Sequence, residues 1–285
     1  MTNAVPPFNP ILFPQCFTSY DKRFLNSAWI EHVPFAFSLV QMLKPNNIVE
    51  LGTYGGASYC AFCQVVSDLA LSTRCYGIDT WEGDEHAGYY GNEVYEYLKS
   101  YHDTRFPTFS TLIRKTFDEA NCQFCEDSID LLHIDGLHTY EAVRHDFETW
   151  LPKMSSKGVV LFHDTAVKSD GFGVHRFWDE VKSRFPSFSF QHGYGLGVLA
   201  VGPNIPESIQ ILCGTAEMQQ NAIRSFFASL GSHYSKDLLV ETQKNTIFDQ
   251  HKQICTQEDQ ISSFENSLSW RVTKPLRKLS ALIKR

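Results

Sequence analysis

Short apolar runs alternate with helix-like stretches through the middle of this chain of 285 residues. The strand-like runs are residues 48–51, 75–78, 110–113, 129–134 and 159–162. The helix-like stretches between and after them are residues 57–69, 93–101, 116–122, 140–151 and 174–185. This alternation is typical of βαβ units, in which helices cover both faces of a parallel sheet. The sequence therefore predicts an α/β fold.

The segments on either side of this pattern predict how the rest of the chain is organised. Residues 188–191 and 196–201 are strand-like and flank a Gly-containing turn, which predicts a hairpin at the edge of the sheet. Beyond Gly202 the sequence becomes polar, Gln-rich and helix-permissive. We therefore expect three parts: an N-terminal cap at residues 1–45, a central domain at 46–202, and a helical C-terminal extension with a basic tail at 203–285.

The net charge and the terminal sequences limit the expected partners and location. A net charge of −7 argues against binding to nucleic acid, which requires a basic face. The N-terminal residues lack the features of a signal peptide, and no apolar run approaches the length of a membrane span. We therefore expect a cytoplasmic protein. Residues 269–285 carry basic but no acidic residues, which is typical of a tail that contacts an anionic membrane or a partner; a solvated terminus is the alternative.

Two of the strand-like runs end in acidic and histidine residues. Asp135 and His138 follow the fourth run, while His163 and Asp164 follow the fifth. Because ligands bind at the carboxyl ends of parallel strands, we expect these four side chains to share one crevice. A divalent ion held there by carboxylates would lower the pKa of an acceptor hydroxyl, and a nearby imidazole would take its proton. Taken singly, Asp135 or Asp164 would more often be a helix cap, and His138 could cap a helix or pack in the core.

A Gly-containing turn at residues 50–58 joins the first strand-like run to the first helix. Its Gly52, Gly55 and Gly56 allow a ligand to approach the backbone, but their spacing differs from the G-x-G-x-x-G pattern of dinucleotide sites. The acidic residue just before the first Gly suits an amine-bearing ligand, such as S-adenosylmethionine, better than a diphosphate. Asp79 ends the second run, where a carboxylate can accept hydrogen bonds from both ribose hydroxyls. Together these features favour an adenosyl cofactor without phosphates.

The chain resembles the class I S-adenosylmethionine-dependent methyltransferases over residues 46–202. The sequence of its turn, E-L-G-T-Y-G-G-A-S, is similar to the turn of catechol-type O-methyltransferases and of the macrocin O-methyltransferase and cephalosporin hydroxylase-like group. This resemblance implies a Rossmann-like, mostly parallel sheet of seven strands with an antiparallel last strand. It also implies which residues bind the cofactor. Those near the turn and the methionine end are Glu50, Gly52, Thr53, Gly55 and Ser58; those at the adenosine are Asp79, Trp81 and Asp118.

The resemblance further implies roles for the acidic and histidine residues. In similar sugar O-methyltransferases, an Asp-x-x-His motif supplies a metal ligand and a base, and an acidic pair on the next strand completes the metal site. Carried over, the metal ligands are Asp135, His163 and Asp164, with His138 as the base, so that Asp135 and His138 are the catalytic residues. His163 departs from the pattern, because the relatives have Glu there. A histidine ligand admits Mn²⁺ or Fe²⁺ besides Mg²⁺.

The function predicted from these features is S-adenosylmethionine-dependent O-methylation of a hydroxyl on a sugar or glycoconjugate, with a divalent metal. One alternative is a non-haem iron oxygenase that uses His138, His163 and a carboxylate. Another is a non-catalytic cofactor-binding module that docks a glycosyltransferase. Residues 81–91, rich in Gly and aromatic residues, are expected to form either a mobile lid over the site or a surface loop.

The expected partner is a small-molecule or glycan acceptor, as in bacterial cell-surface polysaccharide synthesis. The tail at 269–277 resembles segments at the ends of bacterial cell-surface glycosyltransferases, which implies contact with such an enzyme or with the inner membrane surface. Self-association into a homo-oligomer is a further expectation.

Overall fold

The computed structural model describes residues 7–24 and 26–277, and its strands lie where the apolar runs predict them. In chain order they are β1 (Asn47–Leu51), β2 (Arg74–Asp79), β3 (Gly83–Asp84), β4 (Gly88–Tyr89), β5 (Ser110–Arg114), β6 (Ile129–Ile134), β7 (Met154–His163), β8 (Ser187–Phe190) and β9 (Leu196–Ala200). Seven of them form one sheet in the order β5-β2-β1-β6-β7-β9-β8, and β3 pairs with β4.

The sheet is parallel from β5 to β7 and changes direction only at β9. Strand β1 pairs in parallel with β2 and β6, and β6 pairs in parallel with β7. Strand β9 runs antiparallel to both β7 and β8. The predicted seven-stranded, mostly parallel sheet with an antiparallel last strand is therefore confirmed, as is the hairpin at the sheet edge.

Nine α-helices accompany these strands in the described part of the chain. They are α1 (Val33–Leu43), α2 (Ala57–Asp68), α3 (Asn92–Arg105), α4 (Phe117–Asn121), α5 (Tyr140–Trp150), α6 (Val174–Val181), α7 (Glu207–Cys213), α8 (Glu217–Asn266) and α9 (Leu268–Val272). Their starts follow the local sequence. Thr116 caps α4 in a capping box with Glu119, and the Thr139 hydroxyl accepts a hydrogen bond from the third residue of α5.

The core lies on both faces of the central strands. All six residues of β6 are buried, which agrees with the nearly continuous apolar run expected of a parallel strand covered on both sides. Helix α1 buries ten of its eleven residues and precedes β1 directly. The carboxyl ends of β1, β2, β6 and β7 therefore meet at one edge of a rigid sheet, which is where the polar residues of the sequence are gathered.

The described chain divides into two compact units, one ending at Ser235 and the other beginning at Lys236. The first contains the sheet, and the second contains most of α8 together with α9. The helical C-terminal extension is confirmed, whereas the predicted domain limits at residues 45 and 202 stay predictions. Within residues 7–24 and 26–277, no helix is both long and apolar enough to cross a membrane.

Asp146 on α5 is buried, although its polar neighbours in the sequence suggest a solvated helix face. Val143, Phe147 and Trp150 share its face, and only 7% of Asp146 is exposed. Burial raises the pKa of this carboxyl to about 7, because the ionised form loses its hydration. The helix therefore carries a group that destabilises the folded state once it ionises.

We expect Asp146→Asn to remove a pH-dependent loss of stability. The raised pKa means that the folded state retains this proton, so its stabilising contribution is complete below about pH 4 and is lost as the pH rises through 7. The variant should gain about 2–4 kcal/mol relative to the native chain between pH 4 and pH 8. Urea unfolding at both pH values measures the difference. Glu148→Gln, on the exposed side of α5, is the control and should show no such gain; an equal gain in both variants would contradict the assignment.

Candidate active site

A cavity of about 740 Å³ opens at the carboxyl edge of the sheet. Its floor includes the turn after β1, with Gly52, Thr53, Gly55 and Ser58. Its polar end is lined by Asp135, His138, His163 and Asp164, and its remaining walls come from the N-terminal segment and α3. The structure thus brings the predicted cofactor turn and the predicted reaction residues to one space.

Gly52 allows the ends of β1 and β6 to approach each other closely. Its φ of +90° lies in the left-handed region, and a Cβ at this position would be 2.0 Å from the carbonyl oxygen of Asp135. Gly55 differs, since a Cβ there would meet no atom within 4 Å. One glycine of the turn is therefore required by packing against Asp135, while the other borders open space.

Asp79 and Trp81 hold the loops beside a second cavity of about 240 Å³, which Asp79 and Thr116 help to line. The Asp79 carboxylate accepts hydrogen bonds from the backbone N–H of Tyr54 at 2.8 Å and of Trp81 at 2.7 Å. The Trp81 indole is buried and donates to the carbonyl of Tyr54 at 2.9 Å. Burial raises the pKa of Asp79, and these backbone donors oppose the shift. Asp79 therefore borders a ligand-sized space, whereas Trp81 acts from behind the loop.

Glu50 faces the core and lines neither cavity. Its carboxylate lies 2.8 Å from Nδ1 of His133, and both side chains are completely buried. Burial raises the pKa of Glu50, and the bond to His133 opposes the shift. Ser58, which does line the larger cavity, is near enough to oppose the same shift. Glu50 thus faces the core beside the turn, and its direct cofactor contact stays a prediction.

Asp118 also lies away from the cavities. Its carboxylate is 2.8 Å from Nε2 of His145, and both side chains are exposed. The neighbouring Thr116 and Phe117 line the smaller cavity instead. The predicted contact of Asp118 with an adenine ring therefore stays a prediction. The two residues before Asp118 lie nearer to the cavity than its carboxylate does.

Asp135, His138 and Asp164 converge at the polar end of the cavity. Nε2 of His138 lies 2.9 Å from Asp164 and 3.7 Å from Asp135. One ligand atom from each of the three residues lies within 4.8 Å of the others, which is a spacing that one metal ion can bridge. The two carboxylates are suited to hold a divalent cation, with the imidazole beside it.

His163 contacts the same cluster but uses both of its ring nitrogens. Nδ1 lies 3.2 Å from the Asp135 carboxylate, and Nε2 lies 3.0 Å from the carbonyl oxygen of Gly193. Because both partners are acceptors, both nitrogens donate, so the ring is an imidazolium. In this arrangement His163 orients Asp135, and metal ligation by His163 stays a prediction.

The charges of this cluster shift its pKa values strongly. Burial alone would raise the pKa of Asp135, but the charge of His163, its bond to the carboxylate and the nearby His138 ring outweigh it and hold that pKa well below its usual range. Burial likewise opposes protonation of the two histidines. The neighbouring carboxylates nevertheless raise the pKa of His138 to about 10 and that of His163 to about 9. Two cationic rings therefore face the two aspartates at neutral pH.

The rings of Phe172 and His86 stack beside the His138 imidazole, and the sequence did not indicate this contact. The Phe172 ring lies 4.8 Å from both His138 and His86, with interplanar angles of 11° and 12°. His86 belongs to the β3–β4 loop that we expected to be either a lid or a surface loop. Phe172 lies in the segment after β7 and carries no sequence signal of its own. Two loops that are distant in sequence thus restrict the plane of the His138 imidazole.

The comparisons with known proteins agree with this geometry. Residues 49–165 match the family model of the methyltransferase domain. This segment is therefore similar to a methyltransferase domain. It contains every residue predicted for the cofactor and the reaction, from Glu50 to Asp164.

One curated relative is similar to this chain over more residues than the family model matches. The protein y4gI of Sinorhizobium fredii, described as uncharacterized, is 45% identical over 224 residues, which is 78% of this chain. The chain spans only 24% of that relative's length.

A solved structure with a TM-score of 0.50 shares this fold at low sequence identity. Cofactor-bound Rv0187 from MTB is 13% identical, with a TM-score of 0.50 over 70% of this chain and 99% of that one. The O-methyltransferase TomG from Streptomyces achromogenes, solved in complex with SAM, is 15% identical, with a TM-score of 0.48 over 68% of this chain and 97% of that one. At such identity the likeness to Rv0187 shows the fold alone.

Proposed function

We propose that the chain transfers a methyl group from S-adenosylmethionine to a hydroxyl of a sugar or glycoconjugate, assisted by a divalent cation. The observation that carries this proposal is the single cavity of about 740 Å³, lined both by the turn after β1 and by Asp135, His138 and Asp164. A methyl donor at the turn and an acceptor at the cluster would share one cavity. The cofactor-bound state of Rv0187, which has the same fold, supports a cofactor in this cavity.

The chain's own residues would mainly align the reactants. Methyl transfer is a direct displacement, so the acceptor oxygen, the methyl carbon and the sulfur must lie in line. Thr53, Gly55 and Ser58 would bind the methionine end, and Asp79 would accept hydrogen bonds from the ribose at the smaller cavity. Glu50 would support the turn from the core side, where it pairs with His133.

Asp135 and Asp164 would hold the cation, and His138 would take the proton of the acceptor hydroxyl at Nε2. A divalent cation at the two carboxylates would lower the pKa of that hydroxyl and offset the charge that keeps His138 protonated. His163 would keep Asp135 oriented through its bond to the carboxylate. The stack of His86 and Phe172 would exclude water from the imidazole.

The walls of the cavity favour a sugar as the acceptor. Trp29 and Tyr97 offer aromatic rings, while Asn26 and Glu93 offer polar groups. A sugar presents both apolar C–H faces and hydroxyl groups, so a mixed wall of this kind suits it. The inner-membrane and polysaccharide context is part of the same proposal; the basic tail supports it as far as Arg277, and the rest of the tail lies outside the described residues.

Calorimetric titration with S-adenosylmethionine and S-adenosylhomocysteine, in Mg²⁺, Mn²⁺ or EDTA, tests the proposal. We expect micromolar binding, which Asp79→Ala abolishes because Asp79 lines the smaller cavity. Glu148→Ala is the matched control and should bind normally, because Glu148 is an exposed acid on α5 that lines neither cavity. Melting temperatures of all variants show whether the fold persists. Absence of binding by the folded native chain under every metal condition would refute the proposal. If the cofactor binds, transfer of labelled methyl groups to nucleotide sugars tests the acceptor class.

A further inference from the structure

Helix α8 carries an exposed apolar stripe that repeats every seven residues. The heptad stripe consists of Val240, Ile247, Ile254 and Ile261. Their exposed fractions are 47%, 65%, 52% and 58%, so each presents about half or more of its surface to solvent. A repeat of seven keeps these side chains on one side of a helix, and it is the pattern of a coiled coil rather than of a helix that packs on its own domain. All four lie in the second compact unit.

The positions next to the stripe complete the heptad. With the stripe at position a, position d is occupied by Gln243, Gln250, Gln257 and Phe264. Phe264 is exposed as well, at 68%. Isoleucine and valine at position a supply the apolar contacts of a seam, and glutamine amides at position d can hydrogen-bond within it. Helix α8 is therefore suited to pair with another helix at moderate affinity.

The charges beside the seam indicate the partner. Position e carries Lys244 and His251 in the first half and Glu258 and Glu265 in the second, whereas position g carries Leu239, Thr246, Gln253 and Gln260. In a parallel pair e faces g, so no opposite charges would meet. In an antiparallel pair e faces e, and this helix is then complementary to itself.

We propose that the heptad stripe pairs with the same stripe of a second copy of this chain in an antiparallel coiled coil. Lys244 would face Glu265 of the second copy, and His251 would face Glu258 of the second copy. In this register Ile247 packs beside Phe264 of the second copy, and Ile254 beside Gln257 of the second copy. In the single chain, Lys244 lies 3.8 Å from Glu241 on its own helix. This ion pair is exposed, so Lys244 can leave it for Glu265 of the second copy at little cost.

Analytical ultracentrifugation of the full chain between about 1 and 200 μM tests this pairing. We expect a reversible monomer–dimer equilibrium. Ile254→Asp should weaken the dimer by at least about tenfold, because it buries an unpaired charge. Phe248→Asp is the matched control, since Phe248 is apolar and 69% exposed but lies outside the seam. We expect Phe248→Asp to dimerise like the native chain.

Charge reversal tests the antiparallel orientation. Lys244→Glu and Glu265→Lys should each weaken the dimer, because each places like charges opposite one another, and the double variant should restore it. A native chain that is monomeric throughout, or one that forms trimers, would overturn the proposal. Equal effects of Ile254→Asp and Phe248→Asp would place the contact on another face. Single reversals without effect would overturn the antiparallel register. None of these variants touches the cavity, so failure here leaves the proposed methyl transfer unaffected.

Discussion

Asp135→Asn should lower the rate of methyl transfer by about 10²–10⁴-fold. The substitution keeps the size of the side chain but removes the negative charge that lies between His138 and His163. Both the proposed cation and the alignment of the acceptor depend on that charge. Label transfer per folded molecule is the measurement, because loss of the contact to buried His163 should also cost about 1–3 kcal/mol of stability.

A chelator separates the role of the cation from that of the fold. EDTA should lower the methyl-transfer rate of the native chain towards that of Asp135→Asn. It should not lower the rate of the variant further. Asp130→Asn is the control, because Asp130 is a buried acid on β6 at the end away from the cavity, and it accepts hydrogen bonds from Asn46 and Ser155. It should lose stability but keep its rate per folded molecule. Full activity of Asp135→Asn that is insensitive to EDTA would exclude the metal-assisted mechanism.

Gly52→Ala should destabilise the fold by about 3 kcal/mol or more. The added methyl group would meet the carbonyl oxygen of Asp135 at 2.0 Å, and a φ of +90° is strained for any residue with a Cβ. Relief requires β1 and β6 to separate at the edge where the cavity lies, so cofactor binding should be lost too. Urea unfolding and calorimetric titration measure the two effects.

Gly55→Ala is the matched control three residues along the same turn. Nothing lies within 4 Å of the added Cβ, so its free energy of unfolding should change by no more than about 0.5 kcal/mol. If both alanine variants were equally stable, the close approach of Gly52 to Asp135 would not be required by the fold.

The positions of the strands and helices were predictable because they depend on local periodicity. Strand β6 was expected at residues 129–134 and is found there, and α5 begins one residue after Thr139, which caps it. The side of the sheet that carries Asp135 and Asp164 was predictable as well, because all parallel strands present their carboxyl ends at one edge.

The orientation of individual side chains was not predictable from these patterns. Glu50 and Asp79 both sit at the carboxyl ends of strands, yet Glu50 faces His133 in the core while Asp79 borders a cavity. Asp146 looks like part of a polar helix face, yet it packs among apolar residues. Each outcome depends on which neighbour lies opposite, and that is a property of the assembled sheet and helices.

The sequence by itself determined the α/β fold, the turn after β1 and the gathering of aspartate and histidine residues at one edge, because these follow from periodicity, glycine spacing and chain order. Only the tertiary structure decided the state of His163, whose two nitrogens reach Asp135 and Gly193. It also decided the stack of His86 and Phe172 on His138. These contacts join segments tens of residues apart, and their geometry is set by packing across the sheet rather than by local sequence.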